Sequence, residues 1–206
     1  MLYKTDIANL ALGRLGVSLT VADLETENSL QAKIIRRNFR MSLDTVLEMH
    51  DWNFATKYLP LILQSEDPTP VYRFAYSLPA DALVVREIAR EGFFTNRYQY
   101  QDEKEKWQQV YSSIGAVIYS NTPDAHAKYT VRIPTEIAMP THFGRAVAAQ
   151  ISMDIAPSLI TNNFAKIRDT LNSDARNDIT MAIADDLGRQ PQMEDSLSPF
   201  IRARHL

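Results

Sequence analysis

The hydrophobic period changes twice along this chain of 206 residues, and that change restricts its fold more than any other feature. Apolar residues recur every three or four positions up to His50 and again after Pro140, the spacing that gives a helix one apolar face. In between the helical repeat is lost, and eight of the ten prolines fall between positions 60 and 157. Proline lacks a backbone donor and clashes with the preceding helical turn, so it collects where turns and edge strands form. The pattern reads as helix, helix, β-rich insertion, helix, helix and tail. It predicts an α+β fold: a bundle of about four helices from residues 1–55 and 141–188, a β-rich lobe inserted at 56–140, and an extended C-terminal arm at 189–206.

The first helix is expected to begin near Thr5 or Asp6, to place Ile7, Leu10, Ala11 and Leu15 on one face, and to stop at Gly16. A second, which Asn28 or Ser29 can cap, carries Ala32, Ile35, Phe39, Leu43, Val46 and Leu47 on its apolar face. Its polar side holds Arg36, Arg37, Arg40, Asp44 and Glu48; both signs at fourfold spacing read as solvated or intersubunit surface. Tyr58–Leu63, Val71–Tyr76, the segment leading to Ile88, Phe93–Gln99, Trp107–Tyr111, Ala116–Tyr119 and Lys128–Ile133 are strand candidates, and Glu66-Asp67-Pro68-Thr69-Pro70 is a turn. A third helix holds Phe143, Ala146, Val147, Ile151 and Ile155, with Pro157 expected to end or bend it. A fourth runs from Phe164 to Leu187 before Gly188, and Asn172-Ser173-Asp174 weakens its middle enough to predict a break there.

Composition narrows the function classes. Cysteine is absent, which removes disulfides, thiol nucleophiles and Cys-based zinc sites. With 22 Lys plus Arg against 25 Asp plus Glu, the formal charge is −3, and the balance is nearly even along the chain. A protein that coats duplex nucleic acid through a strongly basic face is disfavoured. No run approaches the ~20 apolar residues that a spanning helix needs, and the acidic residue at position 6 argues against a signal peptide, so cytoplasmic synthesis and no membrane association are expected.

Catalytic motifs are weak. His50, His126, His142 and His205 form neither an HExxH pattern nor a close pair. Gly13 and Gly16 close a helix and do not form a phosphate loop. Glu103 and Glu105 form the carboxylate pair most open to an acid role in glycan hydrolysis, but Lys104 and Lys106 interleave with them as on a solvated charged face. No cofactor or metal site is expected. Trp52-Asn53-Phe54 reads as an aromatic plug fixing the second helix against the following strand. Arg97, Tyr98 and Tyr100, with Trp107, Tyr111 and Tyr119, fill a sheet face or form a protein-contact surface. At the C-terminus, Phe200 and Ile201 sit beside Arg202 and Arg204 on a segment too short to bury them; it is either a disordered end or an arm that orders on a partner.

Several of these features in order resemble the head-to-tail adaptor proteins of short-tailed bacteriophages. They are the short first helix ending in Leu15-Gly16, Arg36-Arg37-Asn38-Phe39 on the second, the His50-Asp51-Trp52-Asn53-Phe54-Ala55 turn, Tyr76-Ser77-Leu78-Pro79-Ala80-Asp81, and the alanine-rich closing helices. The resemblance spans residues 1–190, and the turn with its Leu-Pro-x-Asp segment is its most specific piece. It implies a structural protein of the virion, made in the host cytoplasm, in which twelve copies form a ring beneath the portal protein. That ring joins the tail nozzle protein and continues the channel through which genomic DNA passes without sequence-specific binding. Residues 189–206 would then reach along the portal. A mildly acidic chain suits a channel in which DNA must slide, and a helix bearing both signs suits repeated contacts between copies. The alternatives are a tail-associated glycan or cell-wall hydrolase and a small regulatory binding module.

Overall fold

The computed structural model describes residues 1–90, 106–112, 115–160 and 164–189. Helix α1 (Lys4–Arg14) starts where the Asp6 carboxylate accepts the Tyr3 N–H at 3.0 Å, and it closes at Gly16, whose φ of +69° suits glycine. Its buried residues are Ile7, Ala8, Ala11 and Leu12, while Leu10 is exposed. The expected face is therefore rotated toward Leu12, because two alanines let α1 approach its neighbour on the Ala8–Ala11 side.

Helix α2 (Leu30–Met49) is capped by Ser29, whose Oγ accepts the Ala32 N–H at 3.3 Å. All six apolar positions read from its period are buried. Helix α3 (Thr141–Leu159) includes Pro157 and ends two residues after it. The proline sits in the last turn, where it removes a single donor. Helix α4 (Phe164–Gly188) is continuous, with no break at Asn172–Asp174. There the Ser173 hydroxyl donates back to the Thr170 carbonyl at 3.0 Å, and Leu171 and Ala175 are buried on either side, so packing overrides the weak local propensity.

A 3₁₀ turn at Asn53–Ala55 leads from α2 into two antiparallel sheets. One has the order β1 (Thr56–Pro60), β7 (His126–Val131), β4 (Ala82–Ala89). The other has the order β2 (Ile62–Glu66), β3 (Phe74–Ser77), β6 (Gly115–Ser120), β5 (Trp107–Ser112). The single run read at Tyr58–Leu63 is thus two edge strands in different sheets, divided at Leu61, whose N–H donates to the Ala125 carbonyl at 2.8 Å. The run expected at Val71–Tyr76 becomes a strand only from Phe74, because the Thr69 hydroxyl accepts the Val71 and Tyr72 N–H groups and extends the turn.

Two apolar clusters hold these layers. The larger joins all four helices with Trp52, Ala55, Ile133 and Met139, and α3 lies against each of the other three helices. The smaller lies in the sheets around Tyr76, Val85, Ile88, Ile118 and Tyr129, and Val131 packs against both. The fold is mixed α+β. Among the described residues, no helix is long and apolar enough to cross a membrane.

Candidate functional site

The helices and sheets meet at the end of α2, where the chain must release its last carbonyls and turn into β1. Arg86 of β4 supplies the donors. Its guanidinium bonds to the carbonyls of Leu47 at 3.0 Å, Glu48 at 3.0 Å and His50 at 2.7 Å, and to the Thr130 hydroxyl at 2.9 Å. A cation at a helix C-terminus also meets the negative end of the helix dipole. Burial pulls the Arg86 pKa below its ordinary value, with Asp51 and Glu48 opposing that pull.

Asp51 sits beside this cap, paired with Lys128 and accepting the Thr56 hydroxyl at 2.9 Å. Burial alone would raise its carboxyl, but the Lys128 ammonium, the Thr56 hydroxyl and Arg86 outweigh that and hold it below the usual range. Lys128 in turn lies over the Tyr58 ring, 5.8 Å from its centroid.

On the other side of the turn, Asp186 of α4 is buried. Its carboxylate accepts the Asn53 N–H at 3.1 Å and the Asn53 side-chain amide at 3.0 Å, and lies 3.3 Å from His50 Nε2. Trp52 is fully buried, donates its indole N–H to the Val46 carbonyl at 3.0 Å, and meets Phe143 edge-to-face at 4.9 Å. The aromatic plug expected from the sequence is present in Trp52. Phe54 differs: it packs on Phe143 at 4.9 Å yet remains 41% exposed.

The polar face of α2 divides unevenly. Arg36 turns inward and donates to the carbonyls of Leu24 at 2.9 Å and Glu27 at 2.7 Å, pinning the preceding loop. Arg40 donates to the Ile133 carbonyl at 2.7 Å, and Asp44 pairs with Arg132 at 3.1 Å. Arg37 and Glu48 face solvent, on a stripe with Leu30, Lys33 and Met41. Leu30 and Met41 are 64% and 56% exposed, high values for large apolar side chains. Helix α4 likewise turns Met181 and Leu187 outward, with Asp174 and Arg176 on its exposed surface.

A second exposed stretch was not legible as such. The apolar run Tyr58–Leu63 reads as a strand with nothing to say which face is covered, and Tyr58, Leu59, Ile62 and Leu63 are exposed, Ile62 by 74%. Pro60 lacks a donor, and the β2–β3 register shifts between Leu63 and Ser65; both features deter strand addition along this edge. Arg86 was also missed. Its only signal is a cation inside the apolar run Val84-Val85-Arg86-Glu87-Ile88.

Arg97, Tyr98, Tyr100, Glu103 and Glu105 lie outside the described residues, as do Phe200, Ile201, Arg202 and Arg204. Among the described residues, no three His, Asp or Glu side chains gather as a metal ion would require. The surfaces suit contact with other macromolecules: outward stripes on α2 and α4, and an apolar double edge at β1–β2. Compared with protein-family models and with curated proteins, the chain matches none.

Proposed function

We propose that this chain is a structural adaptor subunit, assembling in a ring between the portal of a short-tailed phage virion and its tail nozzle, and continuing the DNA channel without a catalytic task. The observation that carries this reading is the outward stripe of α2, where Leu30 and Met41 stand exposed between Lys33, Arg37 and Glu48. Exposed large apolar groups among charges of both signs favour a specific contact between proteins. The outward face of α4 offers Met181 and Leu187 on a different helix, so a contact between the two faces in neighbouring copies is heterologous, the type that builds a ring when the rotation from copy to copy closes.

In this reading residues 1–55 and 141–188 form the bundle that packs around the ring, 56–140 form the lobe, and 189–206 form the arm along the portal. The exposed Tyr58, Leu59, Ile62 and Leu63 give the lobe an apolar edge for the nozzle side. The mild net charge of −3 leaves the channel without the excess of cations that would hold passing DNA.

The test is to mix purified chain with isolated portal and image the product by electron microscopy. A ring-sized collar on one face of the portal is expected. A chain that stays unbound in the presence of portal overturns the reading, and so does turnover of a glycan substrate by the chain alone.

A further inference from the structure

Helices α2 and α3 hold between them a carboxylate that has no cation among the described residues. Asp154 of α3 is partly buried; its Oδ2 accepts the hydroxyl of the fully buried Ser42 at 2.6 Å, and its Oδ1 accepts the Gln150 side-chain amide at 3.1 Å. Both donors are neutral, so they fix the carboxylate in place and leave its charge uncompensated. Met41 precedes Ser42 on α2, so the outward stripe of that helix, with Leu30 at its far end, borders the carboxylate.

We propose that Asp154 receives Arg176 of a neighbouring copy, so that α4 of one copy lies across the α2–α3 groove of the next. The pairing rests on the ring reading above, which sets α2 of one copy against α4 of another, and it names the charge pair that fixes their register. Among the described Lys and Arg side chains of α1, α3 and α4, Lys4 is paired with Glu25, Arg14 and Arg145 with Asp178, and Arg168 with Asp169. That leaves Arg176, which is exposed and without a carboxylate. A copy offering Lys33 or Arg37 instead would set α2 against α2, an isologous contact that pairs two copies and goes no further. The spacing along the helices agrees with this choice. Leu187 lies eleven residues beyond Arg176 on the same side of α4, about 17 Å along the axis. Leu30 lies twelve residues before Ser42 on α2, about 18 Å along its axis. With Arg176 over Asp154 and the two helices antiparallel, the exposed Leu187 meets the exposed Leu30. The guanidinium enters a groove whose carboxylate is already oriented, so little ordering is needed at that end.

The experiment uses the full chain carrying R176K, as an equal mixture of heavy-nitrogen-labelled and unlabelled protein. It is treated with a water-soluble carbodiimide, which joins a carboxylate to an ammonium in direct contact, and the linked peptides are mapped by mass spectrometry. One sample is the chain alone at high concentration; the other is the chain with isolated portal, imaged first for a collar. A peptide pair that joins Asp154 to position 176 and carries both labels is expected. Links only within single-label pairs, or from position 176 only to other carboxylates, overturn the pairing. A collar without the link overturns the pairing and leaves the ring; the link in the chain alone, with no collar on the portal, does the reverse. Neither link nor collar overturns both. The native arginine is read separately by sedimentation. D154N keeps an acceptor for the Ser42 hydroxyl, and D154N and R176Q are each expected to weaken assembly roughly tenfold, the double variant no further than either. Assembly at the parent's concentration by either single variant, or losses that add in the double, overturns the pairing.

Discussion

At the scale of single residues, Arg86 ties strand β4 to the end of α2. It donates at once to the carbonyls of Leu47 and Glu48 in the last turn of α2, to that of His50 just beyond it, and to a strand hydroxyl. A guanidinium holds several donors in a fixed plane, whereas an ammonium is one compact point that cannot span acceptors on two elements. R86K is therefore expected to lose most of the bonding and to cost about 2 kcal/mol, with R86A costing about 3 kcal/mol. Urea unfolding of the two variants checks this, and a lysine variant as stable as the parent would show that the cap is unimportant. Tyr129 gives a pH test. Burial first, then its bond to Asp81 at 3.1 Å and that carboxylate's charge, push its phenol up to about 12. A folded pKa above the unfolded value near ~10 stabilises the fold fully below that value, and the contribution is lost as pH rises toward the folded one. Y129F lacks this term. It should be less stable than the parent at pH 7 by about 1 kcal/mol, and the deficit should shrink between about pH 10 and about 12. A constant deficit across that window would mean that the hydroxyl is not titrating with the fold.

At the scale of elements, Gly144 on α3 gives room to the N-terminal segment at Leu2. A methyl group there would lie 3.0 Å from Leu2 Cδ1 and 3.2 Å from Leu2 Cβ. Leu2 cannot simply swing away, because its N–H and carbonyl are both paired with Met139, at 2.9 and 2.8 Å. G144A gains about 1 kcal/mol of helix propensity but must displace that bridge, so a net loss of about 1 kcal/mol is expected. Thermal unfolding decides it, and a rise in the midpoint would mean that the N-terminal bridge yields freely.

The same helices show what was legible in advance. Periodicity located α2 to within two residues and named its whole buried face, because a long helix with one strongly apolar side leaves little choice of rotation. It misjudged α1, where Leu10 and Leu12 compete and the small Ala8 and Ala11 decide which side meets a neighbour. It could not divide Tyr58–Leu63 between two sheets, because the division depends on Ala125, far away in sequence. Nor could it separate the two roles of the polar face of α2, since an arginine that caps a loop and one that faces water look alike in one dimension.

At the scale of the whole molecule, that last pair offers the sharpest test of the proposed ring. Arg36 and Arg37 are neighbours of identical chemistry, 100° apart around one helix. Arg36 holds the carbonyls of Leu24 and Glu27 and serves the fold of each copy, whereas Arg37 points to solvent beside Met41 and is free to serve the contact between copies. Their variants should therefore fail in different assays. R36A is expected to cost about 1–2 kcal/mol, lowering the melting midpoint by about 2–8 °C in a chain of this length. R37E combined with M41E should leave the midpoint nearly unchanged, since exposed substitutions of this kind move stability by about 0.5 kcal/mol or less. The same double variant reverses a charge and removes an apolar anchor at the centre of the outward stripe, so it should abolish ring formation on the portal. Sedimentation of each variant with and without portal reads both effects. If the R37E/M41E chain still assembles at the parent's concentration, the α2 face is not the contact, and the ring must close through α4 or the β1–β2 edge instead. If R36A assembles poorly while remaining fully folded, the partition of the two arginines between fold and assembly is wrong, and with it the reason for placing neighbouring copies against this helix.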